Sequence, residues 1–293
     1  MSPYLLPLKR VLILTADSVS STYFQRLSTL YLNAHGYETV NFHELINHFD
    51  DSFSRLLIKL TSRQTSIVAR LSQYRLVEVN EPHHYFLKAC NMFFQNKFCV
   101  RRCSFETALS LAIRQHFEHP LNVYDNKQFK YIKEKTNKES ISLDTFAKQL
   151  FRLENHYSWV DTNFSNVVYI DHSDLIFNTD QVLNMIFGFT ENLPFSFQEM
   201  NKNVFNIDRH GASPGLNYQK FDELKEELEN KYPDYPFTFP RKKFTLSEKI
   251  DVVSNFDELL DFYNNQNSNH FEKISRTELK LMCRREDDYF GLS

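Results

Sequence analysis

Short apolar runs separated by amphipathic stretches are the feature that most constrains this chain. Val11-Leu12-Ile13-Leu14 is continuous and bounded by polar residues, as a strand buried on both faces of a parallel sheet requires. Polar residues Thr15 to Ser21 follow. Phe24, Leu27, Leu30 and Tyr31 then recur at helical spacing between Thr22 and Ala34, and His35-Gly36 supplies a glycine stop. Strand, polar loop and helix in that order open a βαβ unit.

The same alternation continues. Glu38 to Phe42 reads as a second strand, Ser52 to Ser72 as a helix, and Leu76 to Val79 as a third strand. Pro82 starts a helix that runs toward Phe94. Phe98-Cys99-Val100 is a fourth strand, followed from Ser104 by a helix with Glu106 in its first turn. Residues 120–142, rich in Asn, Lys and Asp, read as an exposed insertion. Leu143 to Trp159 reads as a helix, Val167 to Ile170 as a fifth strand, and Asp180 to Phe187 as a short helix.

Residues 190–216 lack periodicity and form a long loop, of a length that is usually either functional or disordered. Charged helix from Tyr218 to Lys231, a Pro-punctuated link and a helix from Leu246 to Tyr263 complete the chain, with a peripheral tail after them. The expectation is an α/β fold with a central, mostly parallel sheet flanked by helices. Residues 1–220 form that domain, and 221–293 form a helical C-terminal extension packed on it.

Composition narrows the classes. Twenty-eight Phe and fifteen Tyr against five Gly point to a core filled by rings. A formal charge of −3 gives no global attraction to nucleic acid or to an anionic membrane. Any anion must therefore be held locally. Cys90, Cys99, Cys103 and Cys283 have no zinc-type spacing and read as reduced thiols of a cytoplasmic protein. Lys9 and Arg10 follow the N-terminal apolar stretch, the reverse of a secretory signal, and no run approaches the ~20 residues that span a bilayer.

Three segments carry chemistry. The first joins strand one to helix one through Asp17, Ser18, Ser20, Ser21 and Thr22. Backbone N–H groups at a helix start, with hydroxyls beside them, suit phosphate oxygens; a Ser/Thr-rich cap is the plainer reading. The second places Arg102 at a strand end and Ser110 within the next helix, a guanidinium and a hydroxyl for one phosphate, or else a surface Arg and an ordinary helical Ser. The third is Arg209-His210-Gly211, a basic pair whose glycine lets the backbone wrap an anion or simply turn.

Together, over residues 9–220, these segments resemble the P-loop sulfotransferase family. The resemblance implies a donor, 3′-phosphoadenosine 5′-phosphosulfate, whose 5′-phosphosulfate sits in the loop after the first strand at Ser18, Ser20, Ser21 and Thr22. It implies a 3′-phosphate held by Arg102 and Ser110, whose eight-residue separation is the family's, with Arg209 and Gly211 assisting. His172-Ser173-Asp174-Leu175 looks like the family's Tyr-Glu-Asp-Leu stretch, with Asp174 a structural hydrogen-bond acceptor. The base that takes the acceptor's proton is often a His shortly after the third strand; His83 and His84 are the candidates, with Glu81 an alternative. The acceptor is a small molecule or glycan bearing a hydroxyl or amine, and no metal is required.

The loop departs from the family's pattern. Ser18 or Asp17 falls where a Lys or Arg is usual, and Ser20 where Gly is usual. The missing cation would neutralise charge on the bridging oxygen, a contribution of several kcal/mol. Two readings follow: an enzyme that transfers a sulfuryl group, or a catalytically impaired relative serving as a binding or structural component. Proteins of marine phages look similar to this family, which extends the second reading to a virion or host-interaction role in a larger assembly. The sequence leaves the oligomeric state open. The absence of any Gly-x-x-x-x-Gly-Lys-Ser/Thr segment argues strongly against a different P-loop phosphotransferase.

Overall fold

The structure, a computed structural model, describes residues 7–16, 21–42, 44–48, 52–79, 83–116, 138–190, 193, 196–199, 226, 230 and 245–290. They form strands β1 (Arg10–Thr15), β2 (Thr39–Phe42), β3 (Ser66–Ser72), β4 (Asn96–Arg101) and β5 (Val167–Asp171). The longer helices are α1 (Ser21–Ala34), α2 (Phe53–Thr61), α3 (Gln73–Leu76), α4 (His84–Phe93), α5 (Ser104–His116) and α6 (Leu143–Asn163). After β5 come α7 (His172–Phe177), α8 (Thr179–Phe187), α9 (Leu246–Asp251), α10 (Phe256–Asn264) and α11 (Arg276–Phe290). The chain divides into two compact units, Met1–Arg101 with Asn155–Pro194, and Arg102–Glu154 with Phe195–Ser293.

The first unit holds the sheet, an open, all-parallel α/β arrangement in the order β2-β3-β1-β4-β5. β1 lies at its centre with all six residues buried, which is why its sequence shows no alternation. Each such Leu or Ile withdrawn from water stabilises the fold by about 1.5–3 kcal/mol. Phe24 of α1 meets Phe98 of β4 edge to face at 5.6 Å, and Phe53 of α2 stacks on Phe86 of α4 at 4.4 Å. The predicted abundance of aromatic packing is met here. Just beyond the end of α1, Gly36 has a φ of 81°, a conformation that residues with a Cβ rarely adopt.

One strand sits elsewhere than the sequence reading placed it. The helix expected over 52–72 ends at Thr61, and β3 occupies Ser66–Ser72 with Ile67, Val68, Ala69 and Leu71 fully buried. The stretch Leu76 to Val79, read as a strand, instead closes one turn of helix, with the Val77 N–H bonded four residues back to Gln73 and the Val79 N–H three back to Leu76. A strand buried on both faces has no periodicity to separate it from buried helix.

In the second unit α5 is buried on every side from Ser104 to Ile113. Phe105 meets Phe146, Phe256 and Tyr263 at 5.6, 5.5 and 5.5 Å. The helix expected over 246–263 is two: Thr245 and Glu248 form a reciprocal capping box on α9, and Val252 ends it before α10. The supposed peripheral tail is largely the 15-residue helix α11, with Leu279 and Glu286 buried. The insertion's last residues are anchored as well: Asn255 exchanges two hydrogen bonds of 2.9 Å with the Ile141 backbone. Most of the loop 190–216, and the charged helix 218–231 apart from 226 and 230, lie outside the described residues. Among the described residues no helix is long and apolar enough to cross a membrane.

Candidate functional site

Parallel sheets bind ligands beyond the C-terminal ends of their strands, where neighbouring connections leave for opposite faces. From β1 the chain moves two places toward the β2 edge, whereas β2→β3 and β3→β4 both move the other way. Right-handed crossovers then put α1 on one face and those two connections on the other. β1 and β4 are one adjacent pair whose connections part in this way, and β1 and β3 are another. The last residues of β1 and β3, Thr15 and Ser72, are register partners.

Both residues are hydroxyl-bearing and buried, and both are tied to neighbours in the first unit. The Thr15 hydroxyl is bonded to that of Ser21, the first residue of α1, and lies 2.7 Å from the Ala16 carbonyl oxygen. Ser72 donates its backbone N–H to Glu44 at 3.1 Å and its hydroxyl to the other oxygen of the same carboxylate. Arg70 pairs with that carboxylate at 3.5 Å. Burial pushes the Glu44 carboxyl above the usual carboxylate range, against the opposing pull of Ser72 and Arg70. Glu44 was not singled out in the sequence. Its one signal is an acid set between apolar Phe42 and Leu45 at the end of β2.

Of the phosphosulfate loop, Ser21 opens α1, and Thr22 is the helix's second residue. Asp17, Ser18 and Ser20 lie outside the described residues. So do Glu81, Arg209, His210 and Gly211. His83 is the residue before α4 and makes no side-chain cap. His84 is exposed and lies against Tyr85 at 3.9 Å between ring centroids. With β3 ending at Ser72, these histidines follow it by 11 and 12 residues rather than directly. Asp174 is exposed and accepts a hydrogen bond from Asn178 at 3.3 Å, a local role within α7.

In the second unit Arg102, Glu106 and Ser110 succeed one another at four-residue intervals along α5 and its entry. Glu106 holds both of the others. Its carboxylate binds the Arg102 guanidinium, and its carbonyl oxygen accepts the Ser110 hydroxyl at 2.8 Å. The same carboxylate oxygen takes the Lys249 ammonium at 3.2 Å. All three charged side chains are under a tenth exposed. Burial, with Arg102 beside it, lowers Lys249 from 10.5 to about 8 despite the carboxylate. Lys249 was legible in principle, as a cation in the Leu246, Lys249, Val253 stripe that α9 and its end bury.

Elsewhere in the first unit, Cys99 Sγ and His156 Nε2 lie 3.9 Å apart, both fully enclosed. Burial raises the thiol to about 12 and lowers the imidazole to about 3, so neither is charged at neutral pH and the pair is inert. Among the described residues no three His, Cys, Asp or Glu gather as a metal site.

No protein-family model, no curated protein and no solved structure matches the chain.

Proposed function

We propose that this chain binds a sulfonucleotide, 3′-phosphoadenosine 5′-phosphosulfate or its bisphosphate product, and that its activity, where present, is sulfuryl transfer to a hydroxyl or amine. The observation that carries the reading is the Thr15–Ser72 position: a polar loop leaves β1 for a helix start at the sheet's switch point. Backbone N–H groups at such a helix start suit an anionic 5′ group. Ser21 and Thr22, with Ser18 and Ser20 of the loop, take that role. The resemblance to the sulfotransferases assigns the 3′-phosphate to Arg102 with Ser110, joined by Arg209 and Gly211.

Transfer would proceed by in-line attack of the acceptor oxygen or nitrogen on sulfur. The S–O bond to the phosphate breaks, the bisphosphate leaves, and the acceptor's proton passes to a base, His83 or His84. No residue in this set needs a metal.

A second reading, a catalytically impaired relative acting as a binding or structural component of a larger assembly, is favoured by one observation. Glu106 already pairs with Arg102, and the 3′-phosphate has to compete with that carboxylate. Labelled sulfuryl transfer to a panel of phenols, sugars and amines separates the two. Thermal stabilisation by adenosine 3′,5′-bisphosphate tests the shared premise, since a ligand at a hundred times its Kd adds about 2.7 kcal/mol. Stabilisation without transfer selects the impaired relative. Neither effect at millimolar ligand rules out the sulfonucleotide site and leaves only the structural role.

A further inference from the structure

Arg101, the last residue of β4, behaves differently from its neighbour Arg102. Its guanidinium lies 3.6 Å from the ring centroid of Tyr169 on β5 and 5.2 Å from that of Tyr157 on α6. The Tyr169 hydroxyl is bonded to Asp161, and Tyr157 is 1% exposed, so both rings are fixed. Ring stacking engages the faces of a guanidinium and leaves its in-plane N–H donors available. The Nε of Arg101 is buried and has no hydrogen-bond partner. The described residues give the side chain no ion pair; Asp171, its register partner on β5, is exposed. A guanidinium left without acceptors forgoes charge-assisted hydrogen bonds that are about twice as strong as neutral ones.

We propose that Arg101 anchors an oxyanion site at the C-terminal end of β4, taking the tetrahedral phosphate or sulfate group of a monoester. Three features converge. The position is on the ligand-binding edge of the sheet, one strand from β1. The cation is partly exposed and therefore reachable. Its orientation is set before any ligand arrives, which removes most of the ordering cost of a long side chain. Arg101, Tyr157, Tyr169 and Asp161 all belong to the first unit, so the site stands without Arg102 and goes beyond the sulfonucleotide reading. An acceptor that already bears a phosphate or sulfate is the substrate class it would admit to the proposed transfer.

Equilibrium dialysis with labelled inorganic sulfate, at ionic strength held constant with chloride, tests this on the full chain. Wild type is expected to bind one sulfate saturably with a Kd of about 1 mM or tighter, near −4 kcal/mol. Arg101→Lys keeps the charge but loses the planar fork, and weakens binding at least about tenfold. Tyr169→Leu, which keeps Arg101 but removes the stacking face, weakens it less. Unfolding midpoints of the variants confirm that each is folded. Absence of saturable sulfate binding in wild type overturns the proposal. So does unchanged affinity in Arg101→Lys, or affinity lost in Arg102→Ala but kept in Arg101→Lys. Failure of adenosine 3′,5′-bisphosphate to bind, with Arg101-dependent sulfate binding intact, sinks only the nucleotide reading.

Discussion

Thr15 and Ser72 are partners at the last register position of β1 and β3, at the C-terminal edge of the sheet. Each hydroxyl is already committed, Thr15 to Ser21 and Ser72 to Glu44. The ends of the two strands are therefore a fixed polar floor to this edge of the sheet.

Glu44 should be the stability anchor of that floor. Glu44→Ala leaves Ser72 N–H and Arg70 without their carboxylate, and breaking a buried pair of this kind costs about 3–5 kcal/mol. Denaturant unfolding measures it. Because burial raises the Glu44 carboxyl, the native state holds a proton more tightly than the unfolded chain just above the usual carboxylate range. Stability from this group falls as pH rises there, and Glu44→Gln removes that slope.

Lys249 should show the opposite trend at alkaline pH. Its folded value of about 8 lies below the ordinary 10.5, so between the two the unfolded chain carries the extra proton. The native state gains roughly 3 kcal/mol as pH rises through that window. Lys249→Met lacks the gain, and parallel unfolding titrations of the two proteins reveal it as a difference that grows from pH 8 to 10.5. Equal slopes would show that Lys249 is not desolvated beside Arg102 and Glu106.

His156 governs the acid limb. The imidazole is held neutral down to about 3 by burial, whereas in the unfolded chain it protonates near 6.5. Native stability is lost as pH falls from about 6.5 toward 3, by roughly 4–5 kcal/mol from this group. His156→Gln abolishes that component, and a comparison of unfolding free energies at pH 7 and pH 4 isolates it from the carboxylates.

These sites differ in how legible they were. The strands β1, β4 and β5 were marked by short apolar runs, and α1 by its spacing and Gly36. β3 was not, because Ile67, Val68, Ala69 and Leu71 are all buried and continue the helical spacing of Leu56 and Leu60. α11 hid behind Arg284, Arg285, Asp287 and Asp288, since a buried Glu286 occupies what would be an apolar position on its inner face. Arg102 and Ser110 were found from their spacing. The carboxylate between them was read only as a first-turn acid, because nothing in sequence says that Lys249, 143 residues on, reaches the same oxygen.

The loop between Thr15 and Ser21 offers a gain-of-function variant. Ser18→Arg with Ser20→Gly restores the cation and the glycine usual in the sulfotransferase pattern. Donor affinity should rise about tenfold or more, the effect of one charge-assisted contact on a phosphosulfate. Titration with a non-transferable donor analogue reads it directly. An unchanged affinity would mean that the loop does not meet the 5′ group at these positions.

Calorimetric titration of adenosine 3′,5′-bisphosphate into wild type and Arg102→Ala addresses the central claim most directly. The account expects saturable one-to-one binding by wild type, weakened at least about tenfold when the guanidinium is removed. Absence of heat at millimolar ligand, or equal affinity in the two proteins, would contradict it.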